Sequence, residues 1–156
     1  MRNSRAELYS GSEGVDSVQL CVFRVGAAEY AIDIRRVREI LSAQRLTPLP
    51  EAPGWEGVFE IRDTVVPVLD LRRRLGATPS VAAGKEKTLI CLLGRRQVAL
   101  VVDAVVQVMR THRGELRPAP NVSAGPYVIG VCGSPPALKL LLDVKALLSP
   151  TLESPK

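Results

Sequence analysis

The chain has 156 residues, of which 46% are hydrophobic, 24% charged and only 4% aromatic, and its formal net charge is +5. A chain of this length can bury a core without a disulfide or a metal, and no apolar run approaches the roughly 18 residues that span a bilayer. Because the first residues also lack the apolar stretch of a signal peptide, we expect a cytoplasmic protein with no direct membrane insertion.

Short β-type segments open the ordered part of the chain. Residues 18–25 alternate as a strand, Gly26 begins a turn, and residues 30–34 alternate again, which predicts a hairpin. Val37, Ile40 and Leu41 follow at helical spacing and predict one or two helical turns.

A proline-rich linker separates this hairpin from a second one. Pro48, Pro50 and Pro53 exclude regular structure. Residues 57–61 and 65–71 then predict two strands joined by a polar tip, Arg62-Asp63-Thr64. Near the end of the chain, residues 144–148 predict a short helix.

The second half repeats the order of the first. Gly26 matches Gly94 at an offset of 68, and at an offset of 73 Gly57 matches Gly130 and Asp70 matches Asp143. The Pro-x-Pro of residues 48–50 reappears at 118–120. Two copies of a roughly 70-residue, five-strand module predict an all-β fold of two small barrels, each completed by burying surface against the other.

This repeat also predicts the domain boundaries. Residues 1–16 and 150–156 are expected to be loose tails. Residues 17–149 form the folded part, with barrels over about 17–80 and 85–149 whose terminal segments can swap between them.

Residues that could carry catalysis are few. Cys21, Cys91 and Cys132 are widely spaced among apolar neighbours and are expected to be buried hydrophobes, since no C-x-x-C pair is present. The single histidine, His112, is expected to lie in an exposed loop, and no nucleotide-binding or nucleophile motif occurs. Asp70 and Asp143 each end an apolar strand and are expected to accept backbone hydrogen bonds. We therefore expect a binding protein, with no enzymatic activity, cofactor or metal.

Three arginine clusters leave open a nucleic-acid-binding alternative. They occupy residues 35–38, 72–74 and 95–96. No aromatic residue is interleaved with them to stack bases, so solvated faces and hairpin tips are the preferred interpretation.

The order of these landmarks resembles the CheW-like domain family. The resemblance is carried by F-R-V-G-x3-Y-A-I-D-I from Phe23, by P-L-P-x2-P-G-W-x-G-V-F-E-I-R-D-x-V-V-P-V-L-D-L-R from Pro48, by L-V-V-D-A-V from Leu100, and by L-L-L-D-V from Leu140. It spans about residues 18–149. It implies two intertwined five-stranded SH3-like barrels with short helical segments. It also implies a free-standing chemotaxis coupling protein, a scaffold for arrays of membrane-bound receptors that binds chemoreceptor tips and the regulatory domain of a CheA-type histidine kinase.

By motif, the resemblance implies a receptor-binding surface of Val37, Glu39, Arg62, Val105 and Val108, and it assigns no kinase-binding residue. An apolar seam between barrels would suit a helix-in-groove contact, with Glu39 and Arg62 close together at its rim. The three valines could instead be core between the barrels, and the charged pair a simple surface pair.

The chain departs from the family at one hairpin tip. Where the family usually has N-L-R-G, this chain has Glu60-Ile61-Arg62-Asp63. Asp tolerates positive φ less well than Gly, and two negative charges are added beside Arg62. The alternative within the family is therefore a divergent paralogue that binds receptors but has lost kinase binding.

Overall fold

The structure is a computed structural model, and it describes residues 17–119 and 127–152. Two 3₁₀ turns, Ile34–Arg36 and Arg113–Glu115, accompany its strands and helices. The strands and helices are β1 (Ser17–Val25), β2 (Ala28–Asp33), β3 (Val37–Ser42), β4 (Gly57–Ile61), β5 (Thr64–Asp70), α1 (Leu71–Arg74), β6 (Lys87–Leu93), β7 (Arg96–Val102), β8 (Ala104–His112), β9 (Val128–Cys132), β10 (Lys139–Leu142) and α2 (Val144–Leu152). Across these ranges, no helix has both the length and the apolar character needed to cross a membrane.

Within the described residues the strands form two five-stranded sheets, as the all-β prediction requires. Sheet I has the order β8-β1-β2-β10-β9, and sheet II has the order β3-β6-β7-β5-β4. Most neighbours are antiparallel, but β2 pairs with β10 and β5 with β7 in parallel. Each sheet therefore combines strands from both halves of the sequence, and neither 17–80 nor 85–149 forms a sheet alone.

The first strand shows why the two sheets form one body. Along β1, Leu20 and Val22 belong to a core within sheet I, whereas Cys21 and Phe23 belong to a core shared with sheet II. Because side chains alternate across a strand, β1 is buried on both faces. The shared core, which contains Cys21 and Cys91, lies between the sheets, while Cys132 lies in the core of sheet I; all three cysteines are buried and free, as predicted.

Each sheet curls so that the segment following one edge strand pairs with the edge strand on the opposite side. Thr47, in the linker after β3, forms an antiparallel bridge with Val58 of β4. Arg117, after β8, forms the equivalent bridge with Val131 of β9. The two bridges occupy matching places in the two sequence copies. The SH3-like geometry of the barrels stays a prediction.

The helical turns predicted from Val37, Ile40 and Leu41 are wrong. The segment Val37–Ser42 is strand β3, which pairs with β6, and the only helical residues nearby are the 3₁₀ turn Ile34–Arg36 capped by Asp33. Pairing with a neighbouring strand satisfies the backbone of this segment. Burial alternates along it as in any strand, but the half-buried Glu39 and the exposed Ile40 make the apolar residues depart from that alternation. The C-terminal helix is confirmed and runs to Leu152, past the expected boundary at 149. Residues 1–16 lie outside the described ranges.

A buried carboxylate joins the two sheets where β7 ends and β8 begins. Asp103 is 1% exposed. Its carboxylate accepts hydrogen bonds from the Gly26 N–H (2.6 Å) in the β1–β2 turn, from Arg72 Nη1 (3.0 Å) in α1, and from the Ser80 hydroxyl (3.0 Å). Arg72 is also held by both oxygens of Asp70, through Nε at 3.0 Å and Nη2 at 3.1 Å. We call Asp70, Arg72 and Asp103 the ionic triad, of which Asp103 is buried and the other two are half-buried.

The environment of Asp103 favours its charged form. Burial alone would raise the pKa of Asp103, but the hydrogen bonds from Gly26, Arg72 and Ser80 outweigh burial and hold that pKa below its ordinary value of 3.8. The same contacts constrain Gly26, which has a φ of +63°, and a Cβ there would lie 2.9 Å from the Ala77 Cβ. The turn, the α1 region and the β7–β8 junction are thus locked together.

Asp103→Ala is expected to destabilise the fold by about 3 kcal/mol, because it leaves Arg72 short of one buried partner and the Gly26 N–H without its acceptor. Asp143→Ala is the matched control, since Asp143 caps α2 by accepting the Lys145 N–H at 3.0 Å, and its loss is expected to cost only about 1 kcal/mol. Urea unfolding of both variants measures the difference. Equal losses would contradict a special role for the triad.

The stability difference between the wild type and Asp103→Ala is also expected to depend on pH. Because folding lowers the pKa of Asp103, its contribution is fully present above 3.8 and is lost as the pH falls through the lower pKa of the folded state. Urea unfolding of both proteins at pH 7 and at successively lower pH should show the gap closing only in the acid range. A gap that stays constant would mean that the carboxylate charge contributes nothing.

Candidate functional site

Glu39 and Arg62 form a fork-shaped ion pair, as expected. Arg62 Nη1 lies 3.3 Å from Glu39 Oε2, and Nη2 contacts Oε1. The hydrogen bond from Arg62 lowers the pKa of the Glu39 carboxyl, and the carboxylate in turn raises the pKa of Arg62. The pair is therefore ionised at neutral pH, and it remains open to solvent, with Arg62 58% and Glu39 27% exposed.

The ion pair connects opposite edges of sheet II. Glu39 lies on edge strand β3, and Arg62 lies in the turn between β4 and β5, at the other edge of the sheet. It acts alongside the Thr47–Val58 bridge, which also brings these edges together. The curl of the sheet, rather than sequence proximity, therefore makes the contact.

The turn that presents Arg62 has an uncommon backbone. Arg62 has a φ of +48° and Asp63 a φ of +63°, the left-handed combination of tight two-residue hairpins. Such a backbone costs an L-residue other than Gly roughly 1–2 kcal/mol, although Asp is penalised less than most. Asp63 thus adopts a conformation that glycine adopts without steric cost.

Val37 and Val105 are half-buried and pack against the shared core. They sit on β3 and β8, the edge strands of sheets II and I. Val37 pairs with Cys91 and Val105 with Phe23, both members of that core. The two valines therefore pack against the core and lie at its boundary.

Val108 is different, because half of it is open to solvent. It is 51% exposed although its strand partner is the buried Cys21. Paired residues of an antiparallel ladder point to the same face, so Val108 lies on the face of β8 that borders the shared core. Cys21 and Cys91 lie close enough that, after burial, Cys21 contributes to raising the pKa of Cys91 to about 12. The β3 and β8 edges thus flank the same layer of core.

One residue of this surface was missed from the sequence. Ile40 is 43% exposed on β3, and its partner Leu89 belongs to the shared core. The neighbouring doublet member, Leu41, packs into the core of sheet II. An apolar doublet on an edge strand was the available signal, but the helical interpretation of this segment obscured it. We call Val37, Ile40, Val105 and Val108 the apolar seam.

The seam and the ion pair share strand β3 but border different cores. Glu39 pairs with Ile90, which lies in the core of sheet II, whereas Ile40 pairs with Leu89 of the shared core. The charged pair is therefore placed beside the seam and not within it. The structure brings Glu39 and Arg62 into direct contact, packs Val37 and Val105 against the shared core, and leaves Val108 exposed on β8.

The residues considered for catalysis have structural roles or lie apart. Asp70 and Asp143 cap α1 and α2, as predicted, by accepting the Arg72 and Lys145 backbone N–H groups at 2.9 and 3.0 Å. His112 is exposed, at the end of strand β8 rather than in a loop. Within residues 17–119 and 127–152, no three His, Cys, Asp or Glu side chains are grouped as a metal site would require.

Comparisons with known proteins place the chain among relatives of one family. A family model described as the CheW-like domain matches residues 19–151. The chain is 32% identical over 136 residues to the chemotaxis protein CheW of Klebsiella aerogenes, covering 84% of this chain and 81% of that protein. It is 31% identical over 131 residues to protein FrzA of Myxococcus xanthus, covering 80% and 82%.

A solved structure has the same fold. The crystal structure of the scaffolding protein TtCheW from Thermoanaerobacter tengcongensis superimposes with a TM-score of 0.77 at 25% sequence identity. The match covers 84% of this chain and 92% of that chain. The two-sheet architecture is thus shared along most of both molecules.

Asp63→Gly is expected to stabilise the protein by about 1 kcal/mol, because glycine adopts positive φ without steric cost. Thr64→Gly is the matched control next to it in strand β5, and there glycine is expected to destabilise by about 0.5–1 kcal/mol. Thermal unfolding of both variants measures the two signs. A loss of stability in Asp63→Gly would show that the Asp63 side chain stabilises the turn by more than its backbone costs.

Proposed function

The chain belongs to the CheW-like domain family, and we propose that it is a non-enzymatic scaffold that couples chemoreceptors to a CheA-type histidine kinase in a signalling array. Relatives named chemotaxis protein CheW and a structural neighbour named a scaffolding protein support this proposal. The proposal places the protein in the cytoplasm, at arrays of membrane-bound receptors.

The exposed apolar seam is the observation that carries the receptor part of the proposal. Val108 and Ile40 are 51% and 43% exposed on two edge strands that flank one core. Exposed large apolar side chains on strands that border one core favour a protein contact over a solvated surface. An amphipathic helix from a receptor tip would cover them with its apolar face, in the helix-in-groove mode.

Glu39 and Arg62 are proposed to set the register of that helix. Arg62 is exposed and Glu39 is partly exposed, and such rim charges contribute more to orientation and encounter than to affinity. Their fork-shaped contact holds the two side chains in one geometry before any partner arrives. A partner residue would therefore meet a preformed pair of charges.

The kinase part of the proposal concerns the same hairpin tip. Glu60 and Asp63 are exposed on either side of Arg62 and add negative charge where the family usually has none. If the kinase regulatory domain contacts this tip, these carboxylates weaken its binding. The alternative is a paralogue that binds receptors alone, and robust capture of the kinase regulatory domain in a pull-down would exclude it.

Three of the clustered arginines are already paired with carboxylates, which weakens the nucleic-acid alternative. Arg72 belongs to the ionic triad, Arg73 lies 3.2 Å from Glu56, and Arg35 lies 2.8 Å from Asp33. Guanidinium groups bound to carboxylates are already compensated and offer little to phosphates. A protein partner is therefore the function that this surface supports best.

Val108→Asp is expected to reduce co-sedimentation with a chemoreceptor cytoplasmic fragment at least about tenfold, because an unpaired carboxylate would be buried in an apolar contact. The fold should survive, since Val108 is 51% exposed. Leu138→Asp is the matched control, because Leu138 is 38% exposed beyond β9, at the other edge of sheet I. Unchanged binding by Val108→Asp, or equal losses in both variants, would place the receptor surface elsewhere.

A further inference from the structure

Positive charge is concentrated at one end of sheet II. Four arginines lie there: Arg36 and Arg38 where β3 begins, and Arg95 and Arg96 at the tip between β6 and β7. We call these four the basic ridge. Arg36 reaches the Leu92 carbonyl at 3.3 Å, and the next residue, Leu93, pairs with Arg96. Adjacent residues of a strand are separated by only about 3.3 Å, so the ridge is one continuous surface.

Little of the ridge charge is compensated within the described residues. The carboxylates in the same segment, Asp33 and Glu39, are already bound to Arg35 and Arg62, although Arg38, after Arg62, also lowers the pKa of Glu39. Within the described ranges, Arg38, Arg95 and Arg96 have no carboxylate at ion-pair distance. Like charges that lack such partners at one end of a sheet produce a local positive potential.

The ridge continues the wall of the apolar seam. Val37 lies between Arg36 and Arg38 on β3, and its partner Cys91 lies only a few residues before the hairpin tip that carries Arg95. Leu93, at the base of that tip, packs against the shared core that the seam borders. A helix lying along the seam therefore passes beside the basic ridge as well.

We propose that the basic ridge recruits the partner of the seam by its charge, and that this partner is a helix whose apolar face is flanked by acidic side chains. This inference rests on the proposed function and deepens it by naming the chemistry of the partner. A nucleic acid is the less suitable ligand, because the described aromatic residues are all buried or half-buried and none lies fully exposed to stack a base.

The role assigned to the ridge is kinetic. Rim charges act over the Debye length, about 8 Å at physiological salt, and accelerate encounter without tightening the final contact. The seam, by contrast, determines how long the complex persists, because burial of apolar surface is reflected mainly in dissociation. Charge reversal on the ridge and on the seam should therefore change different rate constants.

The test is surface plasmon resonance with the full chain and an immobilised soluble hairpin fragment of a chemoreceptor from the same genome. Arg95→Glu/Arg96→Glu removes ridge charge at an exposed tip. Arg45→Glu/Lys85→Glu is the matched control, because it makes the same change of net charge at exposed positions near the opposite end of β3 and β6. Val108→Asp is included to test the seam, and a single-stranded oligonucleotide is injected as a competitor.

At about 50 mM salt the ridge variant is expected to associate about tenfold more slowly with dissociation within twofold of wild type, and the difference should vanish near 500 mM. The control variant should stay within about twofold in both rates, and Val108→Asp should mainly accelerate dissociation. Equal slowing by the ridge and control variants would overturn the ridge proposal. The proposal would also be overturned, in favour of a nucleic-acid ligand, if the oligonucleotide blocked receptor binding by the wild type but not by the ridge variant. Unchanged binding by Val108→Asp would instead overturn the proposed receptor surface.

Discussion

The hydrogen-bonded carboxylate of Asp103 is the contact on which the joined architecture depends. It lies where the chain leaves sheet II for sheet I, and it binds the β1–β2 turn of one sheet and the α1 arginine that follows β5 of the other. Removing two opposite charges from water is costly, so such a triad is retained only where all of its members are satisfied. Here Asp70, Gly26 and Ser80 complete the hydrogen bonds, and the two sheets are held in one relative position.

That fixed position produces the candidate partner surface. Because strands are exchanged between the sequence halves, the edge strands β3 and β8 belong to different sheets yet border the same core. Val37 and Val105 complete the core margin, while Val108 and Ile40 remain available to a partner. The charged groups are arranged around this margin, with the Glu39–Arg62 pair on one side and the basic ridge at one end. Strand β3 thus carries a core residue, an exposed apolar residue and charged residues side by side.

Several features could be predicted from the residues because their causes are local. The buried cysteines follow from their apolar neighbours, and the capping roles of Asp70 and Asp143 follow from their place at strand ends, where a short side chain accepts nearby backbone N–H groups. The proximity of Glu39 and Arg62 was predicted only through the family resemblance, since 23 positions separate them. The strand Val37–Ser42 was missed because a polar residue, Glu39, is half-buried and an apolar one, Ile40, is exposed, which gives the apolar residues helical spacing.

The sequence by itself determined the all-β class, the duplicated order of strands, the linker prolines and the C-terminal helix, since each depends on short-range pattern and turn chemistry. The tertiary structure alone decided which strands share a sheet, because hydrogen bonding between distant strands leaves no local signal. It also decided that Asp103 rather than Asp143 joins the sheets, and that Ile40 is 43% exposed while Leu41 is half-buried against the core of sheet II. Those outcomes depend on burial and on long-range contacts, which exist only once the two sheets have packed together.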